Sequence, residues 1–552
     1  MNTRPRATDA GPANQPPPFA GRNLYESDVA LRAAVATYGG SWAEPALRDL
    51  GAVAGSQDAR ALARAANRHA PELLTHDRYG NRLDVVEFHP AYHELMTLGC
   101  SAGVHSSPWA EPRDGAHAAR AAMYLLFGQL ENGTQCPLTM TFAAAPVLAS
   151  HADAVPELAR TWLPRIHARR YDRRFLPVER KEGATIGMGM TERQGGSDVR
   201  SNRTQAVPLS GRGPGQPYRI DGEKWFFSAP MCDAFLVLAQ APGGLSCFFL
   251  PRFLPDGGVN AIRLRRLKDK LGNRSNASSE AEFAGATAWL LGDEGRGIPV
   301  ILEMVNFTRL DCVIGSAALM RESLAQAIHH ARHRSAFGST LAAHPLMKNV
   351  LADLALESEA ATALALRLAH AYDREEAAEV ALRRVLAPAA KFWVCKRAAA
   401  FVQEAMEVLG GNGYVEESPL ARLYREAPVN SIWEGSGNVM CLDLLRALGQ
   451  TGGAGALAGE LSSAQGRDAA FDACADRLLA DLAGAAADEA GARRFAARLV
   501  LAVQAALLLR HAPREMAAAF CASRLAGGEG RVHGALATVQ ACDAVIARAL
   551  PD

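Results

Sequence analysis

The chain has 552 residues, with 59 Lys plus Arg against 58 Asp plus Glu, a formal net charge of +1. Hydrophobic residues make up 49% and charged residues 21%, the profile of a globular protein with a sizeable core. The near-neutral total excludes a chain coated all over in basic residues to hold nucleic acid, though not a local basic patch. The longest strongly apolar run, Leu499 to Leu509, is far short of the ~20 residues a membrane span needs.

Residues 1–20 are polar and Pro-rich with no apolar core. They read as a disordered arm, not a secretory signal peptide. Residues 21–183 are mostly helical in pattern, for example Ala118–Leu130. The texture changes over 184–292, where short apolar runs are bounded by Gly and Pro. Phe235–Gln240, Leu245–Pro251 and Ile262–Leu267 are strand candidates, and the loop Gly211–Pro217 precedes another at Tyr218–Phe227. Long helical periods return over 293–447. Gly452–Gly459 reads as a Gly/Ala linker within a last unit, 448–552, that is otherwise helical and Ala-rich. The order is a β-domain between α-domains, not an alternating βαβ fold. Ten cysteines are scattered without a C-x-x-C pair, so no disulfide framework or zinc spacing is visible. A reducing cytoplasm is the simple reading, and no metal is expected.

Four stretches carry chemistry. Gly189–Asp198 reads Gly-Met-Thr-Glu-Arg-Gln-Gly-Gly-Ser-Asp. It is either a plain loop or one whose glycines let backbone N–H groups approach a polar ring, beside the hydroxyls of Thr191 and Ser197. Lys224–Ser228, Lys-Trp-Phe-Phe-Ser, is either a core strand or an aromatic wall for a flat cofactor, with one hydrogen bond from Ser228. Glu407–Tyr414, Glu-Val-Leu-Gly-Gly-Asn-Gly-Tyr, is either a helix C-cap or a phosphate-approach loop in need of a basic partner such as Arg334. In Ser431–Asn438, Ser-Ile-Trp-Glu-Gly-Ser-Gly-Asn, Glu434 is either paired and structural or a general base with raised pKa.

Together, and in this order, these stretches resemble the acyl-CoA dehydrogenase superfamily of flavoproteins. Residues 189–201 and 407–426 match its two signatures, closely within 180–447 and more loosely over 60–180. Cys136–Phe142, Leu267–Ala277, Met440–Asp443 and the added C-terminal unit are similar to the AidB-type alkylation-response flavoproteins. The resemblance implies a mainly α fold with a central β-domain: an α-domain, a β-barrel domain and an α-helical bundle, plus an extra C-terminal helical domain. It implies FAD as cofactor and a cytoplasmic homotetramer.

By the same resemblance Met188, Gly189, Met190, Thr191, Gly195, Gly196 and Ser197 line the flavin, with Ser197 also near the acyl-CoA thioester. Phe226, Phe227 and Ser228 pack on the ring, Ser228 facing its hydride-accepting nitrogen. Arg334 binds the diphosphate across a subunit interface, which Glu407, Gly410 and Gly411 approach by backbone. Ile432, Trp433, Gly435, Ser436 and Asn438 complete the cofactor site. Glu434 matches the catalytic base that removes the α-proton of an acyl thioester, and Arg309 lies on the substrate side. Thr308 stands where a branched-chain subset places its base and cannot serve as one. Pro345 and Glu407 depart from the family's usual Gln residues, so altered FAD contacts are expected.

Two functions are compatible with this. One is an FAD-dependent dehydrogenase of short or branched acyl thioesters. The other is an alkylation-response flavoprotein that binds double-stranded DNA, with weak, isovaleryl-CoA-like dehydrogenase activity. The C-terminal unit discriminates. Residues 451–489 carry two Arg against seven acids, and residues 490–552 eight Arg against four. Arg493, Arg494, Arg498, Arg510, Arg514, Arg524 and Arg531 are either a solvated helical face or phosphate contacts without base reading.

Overall fold

The computed structural model describes residues 14–450, 452–485, 488–526, 533, 536 and 542–551. Nine strands organise the β part: β1 (Glu72–His76), β2 (Arg82–Glu87), β3 (Ile186–Gly189), β4 (Gln205–Pro208), β5 (Pro217–Ser228), β6 (Ala234–Ala241), β7 (Gly244–Pro251), β8 (Ile262–Leu267) and β9 (Ser278–Leu291). β1 and β2 form a separate antiparallel hairpin inside the region read as helical. The other seven form one sheet in which β6 pairs with β4 and β7, β4 with β5, and β7 and β5 both with β9. The ring of pairings closes the sheet into a barrel. β3 joins β6 in parallel, and β8 joins β9.

Strand alternation sorts the aromatic residues between the two faces of the barrel wall. Phe227 and Phe235 pack at 4.2 Å between ring centroids and Phe248 packs on Tyr218, while its neighbour Phe249 faces the other way, against Trp162. The helix Gly297–His333 runs from the barrel through the bundle. It is buried around most of its circumference because Ala116–Leu130, Gln135–Ser150, Pro345–Tyr372 and Ala377–Val408 pack about it. Pro345 is the first residue of its helix, where a missing N–H costs nothing.

Two expectations are corrected. The stretch 452–459 is not a linker: Gly453–Ser462 is a helix, because Leu457 and Leu461 bury completely against the bundle and outweigh the glycines. Nor are residues 14–19 free. Asn14 Oδ1 accepts from Ser335 N (2.7 Å), Pro17 O lies 2.9 Å from His329 Nε2, and Phe19 stacks on His329 at 4.2 Å. The first thirteen residues of that arm lie outside the described set.

The C-terminal helices Gly453–Ser462, Ala469–Ala485, Ala492–His511, Arg514–Arg524 and Cys542–Ala549 share one hydrophobic core with the bundle and the N-terminal helices. The barrel has its own. All ten cysteines are buried free thiols, behaving as small apolar residues. Among the described residues no helix is long and apolar enough to cross a membrane.

Candidate active site between barrel and bundle

A cavity of about 1150 Å³ opens between the barrel and the bundle. One wall is the end of β3 and the loop after it, which the sequence makes rigid. Glu192 is buried and accepts from Lys224 Nζ (2.8 Å), Thr204 Oγ1 (2.6 Å) and Arg203 N (2.6 Å). Asn202 Nδ2 donates to Met190 O (2.9 Å) and Trp225 N to Thr191 O (2.9 Å). These bonds hold Met188, Met190, Thr191, Gly196 and Ser197 in the cavity lining. A Cβ on Gly196 would come within 2.4 Å of Thr191 Oγ1, so only glycine leaves that hydroxyl uncovered.

The end of β5 continues this wall. Phe226 and Ser228 face the cavity, and Phe226 is 51% exposed, an aromatic ring laid open. Phe227 lies between them and points the opposite way, fully buried in the barrel core. Its expected flavin contact is therefore corrected by strand alternation. Gly189 is likewise buried, backing onto the Phe227 ring, and neither it nor Gly195 lines the cavity.

The facing wall comes from the bundle. Ile432, Trp433, Glu434, Gly435 and Ser436 line it together with Thr308 and Arg309. Glu434 has φ +59°, a left-handed conformation that a non-glycine residue holds only when its surroundings enforce it. Those surroundings are Arg309 Nε donating to Glu434 O (3.1 Å) and Lys391 Nζ donating to Gly435 O (2.8 Å) and Asn430 O (3.0 Å). Trp433 Nε1 donates to Asn430 Oδ1 (3.0 Å). The strained backbone turns the Glu434 carboxylate into the cavity, where Oε2 accepts from Thr308 Oγ1 at 2.7 Å. Burial raises the pKa of Glu434 above the ordinary carboxylate value, and Thr308, Lys391 and Arg309 oppose that shift only in part.

Thr308 and Lys391 thus have roles that the sequence reading did not assign. Thr308 cannot itself be a base, and its hydroxyl instead holds the Glu434 carboxylate. Arg309, expected on the substrate side, lines the cavity but is engaged. Besides its bond to Glu434 O, its Nη1 pairs with Asp443 at 2.8 Å, and Arg384 holds the other oxygen of Asp443 at 2.7 Å.

Several expected cofactor residues lie elsewhere. Arg334, Glu407, Gly410 and Gly411 are outside this cavity. Arg334 Nη1 donates to Asn14 O (2.5 Å), and Glu407 and Gly410 are exposed. Asn438 is exposed near the start of the helix Gly437–Leu448, outside the cavity lining, and accepts from Arg493 Nη1 at 3.3 Å.

The C-terminal arginines divide. Arg524 pairs with buried Asp353 and Arg510 with Glu460 (2.5 Å), their side chains only 10% and 19% exposed. Arg524 pins its helix to the bundle, Arg510 ties two C-terminal helices together, and with carboxylates already engaged neither is free for phosphates, which corrects their expected DNA contacts. Arg498 pairs with Asp481 at 2.6 Å. Arg493 lies over the Phe392 ring, while Arg494 and Arg514 are exposed. Arg531 lies outside the described residues.

A slot with flat apolar surface and single hydroxyls on one side, and an activated carboxylate on the other, suits a planar redox ring and a substrate between them. Comparison with known proteins agrees. Residues 14–173 match the adaptive response protein AidB N-terminal domain, 187–286 the acyl-CoA dehydrogenase middle domain, and 295–449 the acyl-CoA dehydrogenase C-terminal domain. The chain is 52% identical over 511 residues to the putative acyl-CoA dehydrogenase AidB of Escherichia coli K12, covering 92% of this chain and 93% of that one. It is 31% identical to acyl-CoA dehydrogenase family member 11 of Caenorhabditis elegans, over 70% of this chain and 63% of that one. The structure of C. elegans ACDH-11 in complex with C11-CoA superposes with a TM-score of 0.85 at 26% identity, covering 94% of each chain. The chain belongs to the acyl-CoA dehydrogenase family of FAD-dependent oxidoreductases, and within it to the AidB type.

Proposed function

We propose that this cavity carries out α,β-dehydrogenation of a short or branched, isovaleryl-like acyl-CoA, with Glu434 as the base. The observation that carries the reading is the carboxylate of Glu434, held by Thr308 and facing the Phe226–Ser228 wall across one slot. FAD, when bound, supplies the hydride acceptor. Thr191 and Ser228 would hold its ring by hydrogen bonds, and Met188, Met190, Phe226 and Trp433 would bound it with apolar surface. Glu434 Oε2 is occupied by Thr308, so Oε1 is the oxygen that takes the α-proton. Arg309 and Lys391 fix the peptide groups around it, and the thioester is confined so that proton and hydride leave from opposite faces. Tyr124, Thr139 and Asp311 also line the cavity, with Asp311 held by Thr139 Oγ1 (2.5 Å) and Arg120 Nη2 (2.8 Å). The test is anaerobic bleaching of the FAD-loaded protein by a panel of acyl-CoAs. Bleaching by isovaleryl-CoA faster than by long straight chains is expected, and no bleaching by any member would contradict it.

Arg334, Glu407, Gly410 and Gly411 would meet the diphosphate of a cofactor held by a second copy of the chain in a homotetramer. In support, Phe337, Leu346 and Tyr414 are 97%, 82% and 82% exposed, and a Cβ at Gly411 would meet nothing within 4 Å. Light scattering should give four times the chain mass; a monomer that binds FAD fully would contradict it. A second reading, double-stranded DNA binding in an alkylation response, is supported by the exposed Arg493, Arg494 and Arg514 on one unit. It predicts a duplex shift that weakens steeply with salt, and no shift at low salt would remove it. The free thiols support a reducing, cytoplasmic setting.

A further inference from the structure

The arm Asn14–Phe19 does more than cover the end of the helix Gly297–His333. Asn14 has φ +59°, a left-handed conformation that asparagine tolerates better than most residues. Its side-chain amide lies on the backbone of Ser335. Asn14 Nδ2 donates to Ser335 O (2.8 Å) and Ser335 N donates to Asn14 Oδ1 (2.7 Å), the paired bonds that a neighbouring strand would make. Ser335 opens a two-residue ladder, Ser335–Ala336 against Ser339–Thr340, whose turn carries Phe337 and Gly338 at positive φ. The preceding residue is Arg334, and its Nη1 donates to Asn14 O (2.5 Å). Next along the arm, Gln15 Oε1 accepts from Asn412 Nδ2 (3.1 Å), in the loop that holds Gly410 and Gly411. The root of the arm is anchored by Phe19, stacked on His329 and covered by Arg22, whose Nη2 pairs with buried Glu322 at 2.5 Å.

Arg510 and Arg524 are neutralised by carboxylates, whereas the Arg334 side chain meets only a neutral carbonyl among the described residues. A guanidinium has five N–H donors, and Asn14 O takes one. The others remain open, with an uncompensated positive charge, on a fork that the arm steadies. Bidentate recognition of a phosphate needs such a fork, and an Arg left mobile would lose rotamer entropy in reaching it.

We propose that Asn14 is a positioning residue for the cofactor diphosphate: it holds Arg334 and Ser335 in one arrangement and, with Gln15, joins them to the loop of Gly410, Gly411 and Asn412, so that the N-terminal arm is part of the dinucleotide site. This rests on the reading that Arg334 and Gly411 meet the diphosphate of a cofactor held by a second copy of the chain.

The test is a double-mutant cycle on the FAD dissociation constant of the full chain, read by flavin fluorescence in wild type, Asn14→Gly, Arg334→Ala and the pair. Glycine adopts the left-handed backbone freely, so Asn14→Gly removes the side-chain amide and leaves the turn open to the same path. It should weaken FAD binding about three- to tenfold, the worth of ordering one long side chain. In the Arg334→Ala background the same change should weaken it by less than about twofold, because the residue it acts through is gone. An unchanged affinity in Asn14→Gly would overturn the proposal. So would an equal loss in both backgrounds, since a merely structural arm acts without Arg334. Tighter FAD binding in Asn14→Gly would overturn it too, by making the arm a competitor of the cofactor. Wild-type affinity in Arg334→Ala would instead overturn the placement of the diphosphate on which the proposal rests.

Discussion

The wall around Glu434 and the face formed by the last helices are both rich in ionisable groups, and they use them in opposite ways. Around Glu434 the cations are spent on backbone and on Asp443: Arg309 on Glu434 O, Lys391 on Gly435 O, Arg384 on Asp443. The carboxylate is left with one hydroxyl partner and an open oxygen. On the C-terminal side Arg524 reaches back to Asp353 of the bundle, and Arg510 pairs with Glu460 of a neighbouring C-terminal helix, which Arg367 of the bundle also holds. Charge counted along a sequence is therefore not charge available to a ligand. What decides is whether the body supplies a counter-ion, and only folding brings Asp353 within reach of Arg524, 171 residues away.

The comparison can be broken in four places. The largest effect is expected at the base: Glu434→Gln should slow flavin bleaching by an acyl-CoA by about 10²–10⁴-fold, the usual worth of general base catalysis, without loss of FAD. Stopped-flow absorbance would show it, and bleaching at the wild-type rate would place Glu434 with the structural carboxylates. Next, Arg524→Ala strips the buried Asp353 of that cation and should cost about 3 kcal/mol in urea unfolding, with no change in any affinity for duplex DNA at a given salt concentration. A stable variant with weakened DNA binding would reverse our assignment of that residue.

Thr308→Val comes third. The hydroxyl favours the charged form of Glu434, so its loss raises a pKa that burial has already raised. The base works only when ionised, so the wild-type rate falls as pH drops through that raised pKa. The variant's acid limb should move to still higher pH, costing about tenfold in rate below it. An unmoved limb would show that Thr308 does not hold the reacting carboxylate. The smallest effect belongs to the exposed arginines. If the second reading holds, Arg494→Ala and Arg514→Ala should each flatten the salt dependence of duplex binding by about one counterion.

Much of this was legible in the chain and some was not, for physical reasons. Strands β5, β6, β7 and β8 were visible because short apolar runs end in Gly, Pro or charge, whereas in β9 the small residues Ala281, Ala284, Ala286 and Ala288 and the internal Gly285 dilute the apolar run. Glu434 stood out by its small-residue context. Lys391 could not, because it sits in an unremarkable helical period and acts through carbonyls 39 and 44 residues away. Phe227 was misplaced although alternation alone separates it from Phe226 and Ser228.

The central claim is that Glu434 takes the α-proton of a thioester held in this cavity. The most direct measurement is α-proton exchange of a bound acyl-CoA in deuterium oxide, followed by mass spectrometry in the absence of any electron acceptor. The wild type should incorporate deuterium at the α-carbon and Glu434→Gln, with equal FAD content, should not. Equal incorporation by both proteins would contradict the account.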